Sequence, residues 1–599
     1  MDEVTRLFRF WIQEGWKLRR SENSYMASHL AEYRKRLKHE VKVIEDKSFE
    51  SYFCMVSDII RWAKSQDIAV GPGRGSSAGS LVCYLLRITE IDPMQYPMLF
   101  ERFLDPTRTD LPDIDTDFQD DRRDEVFTYA TSKYGEDRVA NIINFVRYKG
   151  KNSLDDVARV YNVPKWQVEQ VKSKLLERAE GHPRALKTIE DTYNSFEDIK
   201  RIMDEARGLK YAMELEGNYR GLNVHAAGMV VSAVPLDEVT ATYQREIGGR
   251  VGWGIAYDKR DATYLGLLKI DVLSLQTMGM IAEVCKWSHK LYAKGITLQE
   301  LYRVPLDDDM VLNAFRKGDV LGIFQFEGNA TRRILKKVGP TRFMHLADVN
   351  ALSRPGANDK DYISIKRSID DGEIEGPEPK AHKIIDEHTG FTYGEIVYEE
   401  QILMILRDLG GFQPAELNKL RKVIHDKLGS TAFNEYYERF AKGAAAHGLS
   451  EDTAQSIWEG MVSASGYAFN IAHSVSYAHI GYWQMYLKIH YPAAFYAGQL
   501  LKCPNDAAGL QRRTRLIQEA MRQGIEVIPP DPVLSQANWE VVKNEEGRYV
   551  IVAGFLSIPG VGPRTAEAMI AYRNMVLYKS IPAVADSERY LDVEEVELW

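Results

Sequence analysis

LPDIDTDF, from Leu111 to Phe118, alternates apolar and acidic residues with a period of two, which predicts a β-strand. On a strand the side chains of Asp113, Asp115 and Asp117 project from one face, with neighbours about 6–7 Å apart along the chain. Three like charges in a row repel, and the row is stable near neutral pH if cations sit among it. An all-oxygen site suits magnesium, which keeps some waters and takes substrate phosphates as ligands. Two such ions about 3.5–4 Å apart would stabilise both the attacking and the leaving oxygen of an in-line displacement. A solvated acidic strand edge would carry the same pattern, so the motif needs partners elsewhere in the chain.

One partner is YLGLLKIDVL, Tyr264 to Leu273, which predicts a second strand. Lys269 and Asp271 lie two apart on one face of it, in a context apolar enough to be buried. A buried carboxylate is commonly paired or bound to a metal, and either a structural Lys–Asp pair or a metal site would account for it. The other partner is the loop GPGRGSSAGS, which opens at Gly71 and runs into the apolar LVCYLLRI. Gly73, Gly75 and their neighbours let the backbone approach a ligand, Ser76, Ser77 and Ser80 supply hydroxyls, and a following helix would offer free N–H groups. The loop fits a triphosphate cradle but matches neither the Walker A nor the dinucleotide pattern, and an ordinary turn would look alike.

Further along, residues 150–222 are charged and helical in pattern, as if a helical insert interrupted an α/β domain, before HAAGMVVSAVPL restores a β-branched run. From about 306 to 530 helical patterns dominate. There NATRRILKKVGPTR holds Arg332, Arg333, Lys336, Lys337 and Arg342 with no acidic residue. On a helix, Ile334, Leu335 and Val338 would face the core and the cations would face outward, either simply solvated or set against a phosphate backbone. Near the end, Gly560 and Gly562 in IPGVG precede a helix-like PRTAEAMIAY. This turn would let N–H groups meet a phosphate, or would serve as a plain turn between helices.

The bulk numbers bound these readings. The chain has 599 residues with 45% hydrophobic and 27% charged, which predicts a folded, soluble protein of several domains, about four. Cys54, Cys83, Cys285 and Cys503 lie far apart with no CxxC pair, which argues against a zinc site and a disulfide framework and fits a reducing cytoplasm. No stretch approaches the length needed to span a bilayer, so no membrane partner is expected. The net charge of -9 excludes little, because affinity for nucleic acid follows local basic surface.

The long motifs decide what spacing leaves open. GPGRGSSAGSLVCYLLRITEIDP, followed by LFERFLDPTRTDLPDIDTDFQDDRRDEV, resembles the palm signature of family C, the bacterial replicative DNA polymerases of the DNA polymerase III α type. RGLNVHAAGMVV, LLKIDVLSLQTM, GIFQFEGNATRRILKKV, ALSRPG, YGEIVYEEQILMI, LNKLRKVIHDK and GYAFNIAHSVSYAHIGYWQMYLKIHYPAAF continue it in order, over about residues 38–575. The resemblance implies a multidomain α/β and α architecture: an N-terminal helical lead-in (1–40), a nucleotidyltransferase-type palm (41–150 and 223–305) with an inserted helical thumb (151–222), mostly helical fingers (306–530), and a C-terminal helix-hairpin-helix-like module (531–599) that begins the clamp-contacting region. It implies template-directed synthesis on primer-template DNA from deoxynucleoside triphosphates with two Mg2+ ions. The family's catalytic carboxylates fall on Asp113, Asp115 and Asp271, its palm lysine on Lys269, and its triphosphate loop on Gly73, Arg74, Gly75, Ser76 and Ser80. Its nucleotide-binding fingers motifs fall on Arg354, Arg421, Lys422, Asn470, His473 and Ser474.

The sequence also departs from that pattern. About forty residues precede the palm, where the family carries a polymerase-and-histidinol-phosphatase domain, and there is no room for an exonuclease domain. In FNIAHS, Ile471 and Ala472 replace the usual lysine and serine. The short form suggests a phage or other mobile-element replicase, although a trimmed piece of a longer enzyme would look the same. The terminal EEVELW resembles a clamp-binding peptide, with Glu594 at the amide position and Leu598 and Trp599 at the end. A non-catalytic scaffold for DNA or clamp and a template-independent nucleotidyltransferase are the competing expectations. Retention of the three carboxylates, Lys269 and the loop speaks against the first, and the extensive fingers match against the second.

Overall fold

The computed structural model describes residues 2–579, except 107–111, 179–183, 248, 249, 355, 358, 426–429 and 545. Strand β1 (Asp115–Gln119) leads through a helix (Arg123–Tyr134) to β2 (Val139–Arg147). Among the described residues five helices between Gly150 and Leu215 follow, with a small core of their own around Leu154, Val171, Ile189 and Ile199. The chain then returns in β3 (Tyr219–Val231), β4 (Thr242–Ile247), β5 (Arg250–Ile255) and β6 (Leu268–Leu275). These make one mixed six-stranded sheet in the order β1-β6-β3-β2-β5-β4, with β1 and β6 parallel and β3 antiparallel to both its neighbours.

The strands differ from their sequence-based bounds in instructive ways. β1 starts at Asp115, so Asp113 sits in the irregular segment before it. The expected strand at Tyr264–Leu273 divides, because Lys259–Tyr264 forms a helix that Gly266 ends at φ +75°, with the Leu267 N–H bonded to the Ala262 carbonyl at 3.1 Å. β3 takes residues 219–222 into the sheet.

The N-terminal helices are a wall of the sheet domain rather than a lead-in. The helix Glu3–Glu22 turns Phe8, Ile12 and Gly15 inward at helical spacing, and Phe8 and Ile12 share one core with Tyr33, Phe53, Phe118, Ile270 and Val272. Gly15 has no alternative, since a Cβ there would lie 1.9 Å from the Leu85 carbonyl oxygen. Around this wall runs a buried charge network. Glu90 pairs with Arg19 at 2.7 Å and with Lys64, and its N–H bonds the Pro72 carbonyl at 2.7 Å, which ties the glycine loop to the first helix.

The rest is mostly helical, with one large core that draws on residues from Met278 to Ala553 and has the helix Ile471–His490 at its centre, and a separate core around Ile385, Leu406, Phe440 and Trp458. A small sheet of β7 (Glu526–Ile528), β8 (Glu540–Lys543) and β9 (Tyr549–Val552), in the order β7-β9-β8, packs on the helix Gln276–Leu291. Of the expected helical hairpin near the end, the described residues show one helix, Pro563–Lys579; before Gly560, which takes φ +87°, stands a three-residue 3-10 turn, Phe555–Ser557. The segment with Glu594, Leu598 and Trp599 lies outside the described residues. Among the described residues no helix is long and apolar enough to cross a membrane, and the four cysteines are free thiols.

Burial pushes Glu90 up, but Arg19 and Lys64 outweigh it and hold the carboxyl at about 2. A depressed carboxyl contributes stability that is full above its ordinary 4.5 and is lost as pH falls towards 2. Glu90→Gln is expected to cost about 3 kcal/mol at pH 7, because it strands two buried cations. Thermal melting of parent and variant should show that gap at pH 7 and a smaller one at pH 3.

Candidate active site

Parallel pairing sets Asp115 of β1 opposite Asp271 of β6, and β3 flanks β6 on its other side with Gly228 opposite Asp271 and Val230 opposite Lys269. One carboxylate oxygen from each of Asp113, Asp115 and Asp271 lies within 4.8 Å of the others. Asp113 is exposed, Asp115 half-buried and Asp271 buried. Lys269 pairs with Asp271, and its Nζ lies 3.7 Å from Asp113 Oδ1. A second ammonium, Lys259, stands 3.4 Å from Asp113 Oδ2. No sequence motif marked it, since the lysine comes from the short helix before β6.

Burial first, then repulsion from Asp113 and Asp271, pushes Asp115 up to about 6, with Lys269 opposing. Asp271 Oδ1 is buried without a hydrogen-bond partner among the described residues. Three converging carboxylates, one with an orphaned buried oxygen, fit a divalent cation, which would supply the missing charge.

The glycine loop is stitched to the far edge of β1. The Gly71 N–H bonds the Asp117 carbonyl at 2.8 Å, and a Cβ at Gly71 would lie 3.2 Å from Asp117 Cβ. Gly73 and Gly75 take φ +144° and +62°, which turns Arg74 back onto Asp117, Nη1 to Oδ1, at 2.6 Å. Burial raises Asp117 while Arg74 opposes it. Asp117 therefore holds the loop's arginine and stands apart from the triad. Ser76 is half-buried on the loop, whereas Ser80 is fully buried, with its hydroxyl 2.8 Å from Glu40 Oε2 and accepting from the Cys83 N–H.

The free helix start expected after this loop is not free. Glu40, itself fully buried, accepts the Leu81 and Val82 N–H groups at 3.0 Å each, and Arg36 pairs with Glu40 at 2.6 Å. A buried helix end must have its donors satisfied, and here a carboxylate from a distant helix already does so.

The helix Ile471–His490 packs against the loop. Asn470 caps it, accepting the His473 N–H at 2.8 Å. Burial first, then the charges of Arg74 and Arg354, lowers His473 to about 4, so the ring is neutral at pH 7. Arg354 lies 4.2 Å above the Phe469 ring, and Tyr477, one turn after His473 and 4.2 Å from it, lies within the field of Arg74, Asp115 and Asp117. Only the i,i+4 spacing in HSVSY could have pointed to Tyr477. Ser474 is buried, as are Ile471 and Ala472, and apolar residues at these two positions suit a place without solvent. Arg421 lines a different cleft, with Arg102 and Arg407, and Lys422 is exposed. In the helix Asn329–Val338 the core and basic faces divide cleanly: Ile334, Leu335 and Val338 are buried, and Arg332, Arg333, Lys336 and Lys337 are exposed. Gly560 and Gly562 lie in the turn before the last described helix.

Residues 9–274 match the family model described as "Bacterial DNA polymerase III alpha NTPase domain", and residues 277–448 the one described as "Bacterial DNA polymerase III alpha subunit finger domain". The chain is 36% identical over 586 residues to the "DNA polymerase III subunit alpha" of Aquifex aeolicus (strain VF5), which covers 94% of this chain and 48% of that one. It is 34% identical over 546 residues to the protein of the same name from Staphylococcus aureus (strain COL), covering 90% and 49%. The chain thus spans about half the length of the curated relatives it matches. It belongs to the bacterial DNA polymerase III α family.

A carboxyl raised from 3.8 to about 6 makes the metal-free fold lose stability as pH rises through that window. Asp115→Asn is therefore expected to raise metal-free stability at pH 7 by about 1–2 kcal/mol. Adding a divalent cation should raise the melting temperature of the parent and barely move that of the variant, as read by thermal melting with and without the ion.

Proposed function

We propose that this chain is a template-directed DNA polymerase that adds deoxynucleotides to a primer 3′ end, with two magnesium ions held by Asp113, Asp115 and Asp271. The observation that carries the reading is the meeting of these three carboxylates across the β1–β6 pair, with Lys269 against them. When bound, the ions would stabilise charge on the attacking and leaving oxygens. Lys269, its side chain nearly buried, acts by charge and position on a substrate phosphate. Gly73, Arg74, Gly75 and Ser76 form the surface for the triphosphate, joined by Arg354, Asn470 and His473 from the helical side, while Ser80 and Ser474 support it from within. Arg421 and Lys422 reach the nucleotide or the template from the cleft beside Arg102. Arg332, Arg333, Lys336 and Lys337 meet a DNA backbone, as do the N–H groups around Gly560 and Gly562.

In this reading the six-stranded sheet is the palm and the helices between Gly150 and Leu215 are the thumb. The helix Gln276–Leu291 shares a core with Phe326, Trp483 and Ala553, and the finger-domain match begins at residue 277, which supports a palm–fingers boundary near 276.

Replacing Asp113, Asp115 or Asp271 by Asn should slow single-turnover nucleotide addition by about 10²-fold or more and leave primer-template binding largely intact. Lys269→Ala should slow it comparably. Asp117→Asn, which frees Arg74, should act mainly on the apparent affinity for nucleotide. The assay is extension of a primed template, with unprimed single strand as control. Near-parental extension by Asp271→Asn would remove the metal assignment, and equal addition to single strands would favour a template-independent enzyme.

A further inference from the structure

Beside the triad, β3 bulges. Its register with β2 shifts between Asn141, opposite Met229, and Ile143, opposite Val224, so that residues 225–228 stand against Ile142 alone. Gly228, at the end of the bulge, pairs in register with Asp271. Residues directly opposite in an antiparallel pair share a face, so a side chain at 228 would stand next to Asp271. His225 occupies that place. A Cβ at Gly228 would lie 2.9 Å from His225 Nδ1, and the Gly228 N–H donates to that nitrogen at 2.7 Å.

An accepting Nδ1 fixes the neutral tautomer, with the hydrogen on Nε2. Burial lowers the ring's pKa, with the charges of Asp271, Lys269 and Lys259 also acting on it. The bulge thus presents one oriented N–H donor at the edge of the carboxylate cluster. The glycine loop, Arg74 and His473 lie on the β1 side of that cluster, and His225 lies on the β3 side. On the β3 side the β2–β3 ribbon runs on to an exposed end where Arg147 sits 4.0 Å above the Tyr219 ring and Phe145 lies 5.3 Å from it, a surface suited to a nucleic-acid backbone.

We propose that His225 is a substrate-positioning residue that donates its Nε2–H to a non-bridging oxygen of the primer's last phosphodiester and so holds the 3′ end beside Asp271. The assignment rests on the polymerase reading above. A donor to a charged oxygen in a half-buried site is worth about tenfold in rate.

The test is a coupling measurement. Single-turnover incorporation at saturating nucleotide is read with a normal primer and with one whose last linkage is a methylphosphonate, for the parent, His225→Ala and His225→Gln. The parent should slow about tenfold on the methylphosphonate, and His225→Ala should slow about tenfold on the normal primer with little further loss on the modified one. His225→Gln, which keeps an N–H donor, should recover most of the rate, and the apparent nucleotide affinity should stay unchanged in all three. A parent indifferent to the methylphosphonate, fully additive losses, or a glutamine variant as slow as the alanine variant would overturn the proposal. A parent that extends no primer at all would instead sink the polymerase reading on which it rests.

Discussion

Two carboxylates made to face each other across adjacent parallel strands are a costly arrangement. Neighbouring strands lie about 4.8 Å apart, so Asp115 and Asp271 are held in a half-buried place where each disfavours the other's charge. Much of the surrounding structure answers that repulsion. β6 lies between β1 and β3, which fixes Asp271 from both sides, and Lys269 two residues earlier points its ammonium to the same face. Lys259 adds a second ammonium on the solvent side of Asp113. Behind the sheet, the N-terminal helices supply the apolar floor that keeps both strands from shifting.

Charge joins the sheet domain to the helical body on either side of the acidic segment. Arg102, just before the segment that carries Asp113, lies between Glu399 at 2.6 Å and Glu400 at 3.1 Å, and Glu400 in turn accepts the Ile471 N–H at 3.1 Å. Lys502 reaches Asp120 at 3.0 Å and Asp121 at 3.2 Å, directly after β1. Both ends of the acidic segment are thereby tied to the helical body, one of them to the helix that carries His473.

What could be read from the sequence was what is local or periodic. The period-two DIDTD run, the Lys269–Asp271 pair in an apolar strand and the split faces of residues 329–338 all follow from side-chain direction within one element. The lengthy motifs that resemble family C gave their order along the chain. What escaped depends on contacts between distant segments. Nothing in HLAEYRKRLKHE says that Glu40 will cap the helix at Leu81, and nothing in DTD says that Asp117 will be claimed by Arg74 while Asp115 is not. The role of the first forty residues was missed because amphipathic spacing shows that a helix buries one face, and not against what. Gly228 beside His225 looks like an ordinary glycine until the register with β6 is known.

The junction after β6 has a mechanical meaning. Leu275 ends the strand and Gln276 begins a helix with no residue between them, and that helix, about 24 Å long, is packed along its length in the helical core. Strand and helix therefore form one stiff crank with Asp271 on its short arm, about 13 Å from the elbow at the rise of an extended strand. A tilt of roughly 4° about that elbow would carry the carboxylate about 1 Å, a displacement of the size that costs about a hundredfold in rate when reacting groups must be aligned. Packing at Gly498, where a Cβ would lie 2.7 Å from Val284 Cγ2, thus acts as the gearing of the acidic centre, and a change of a single methyl group there would shift Asp271.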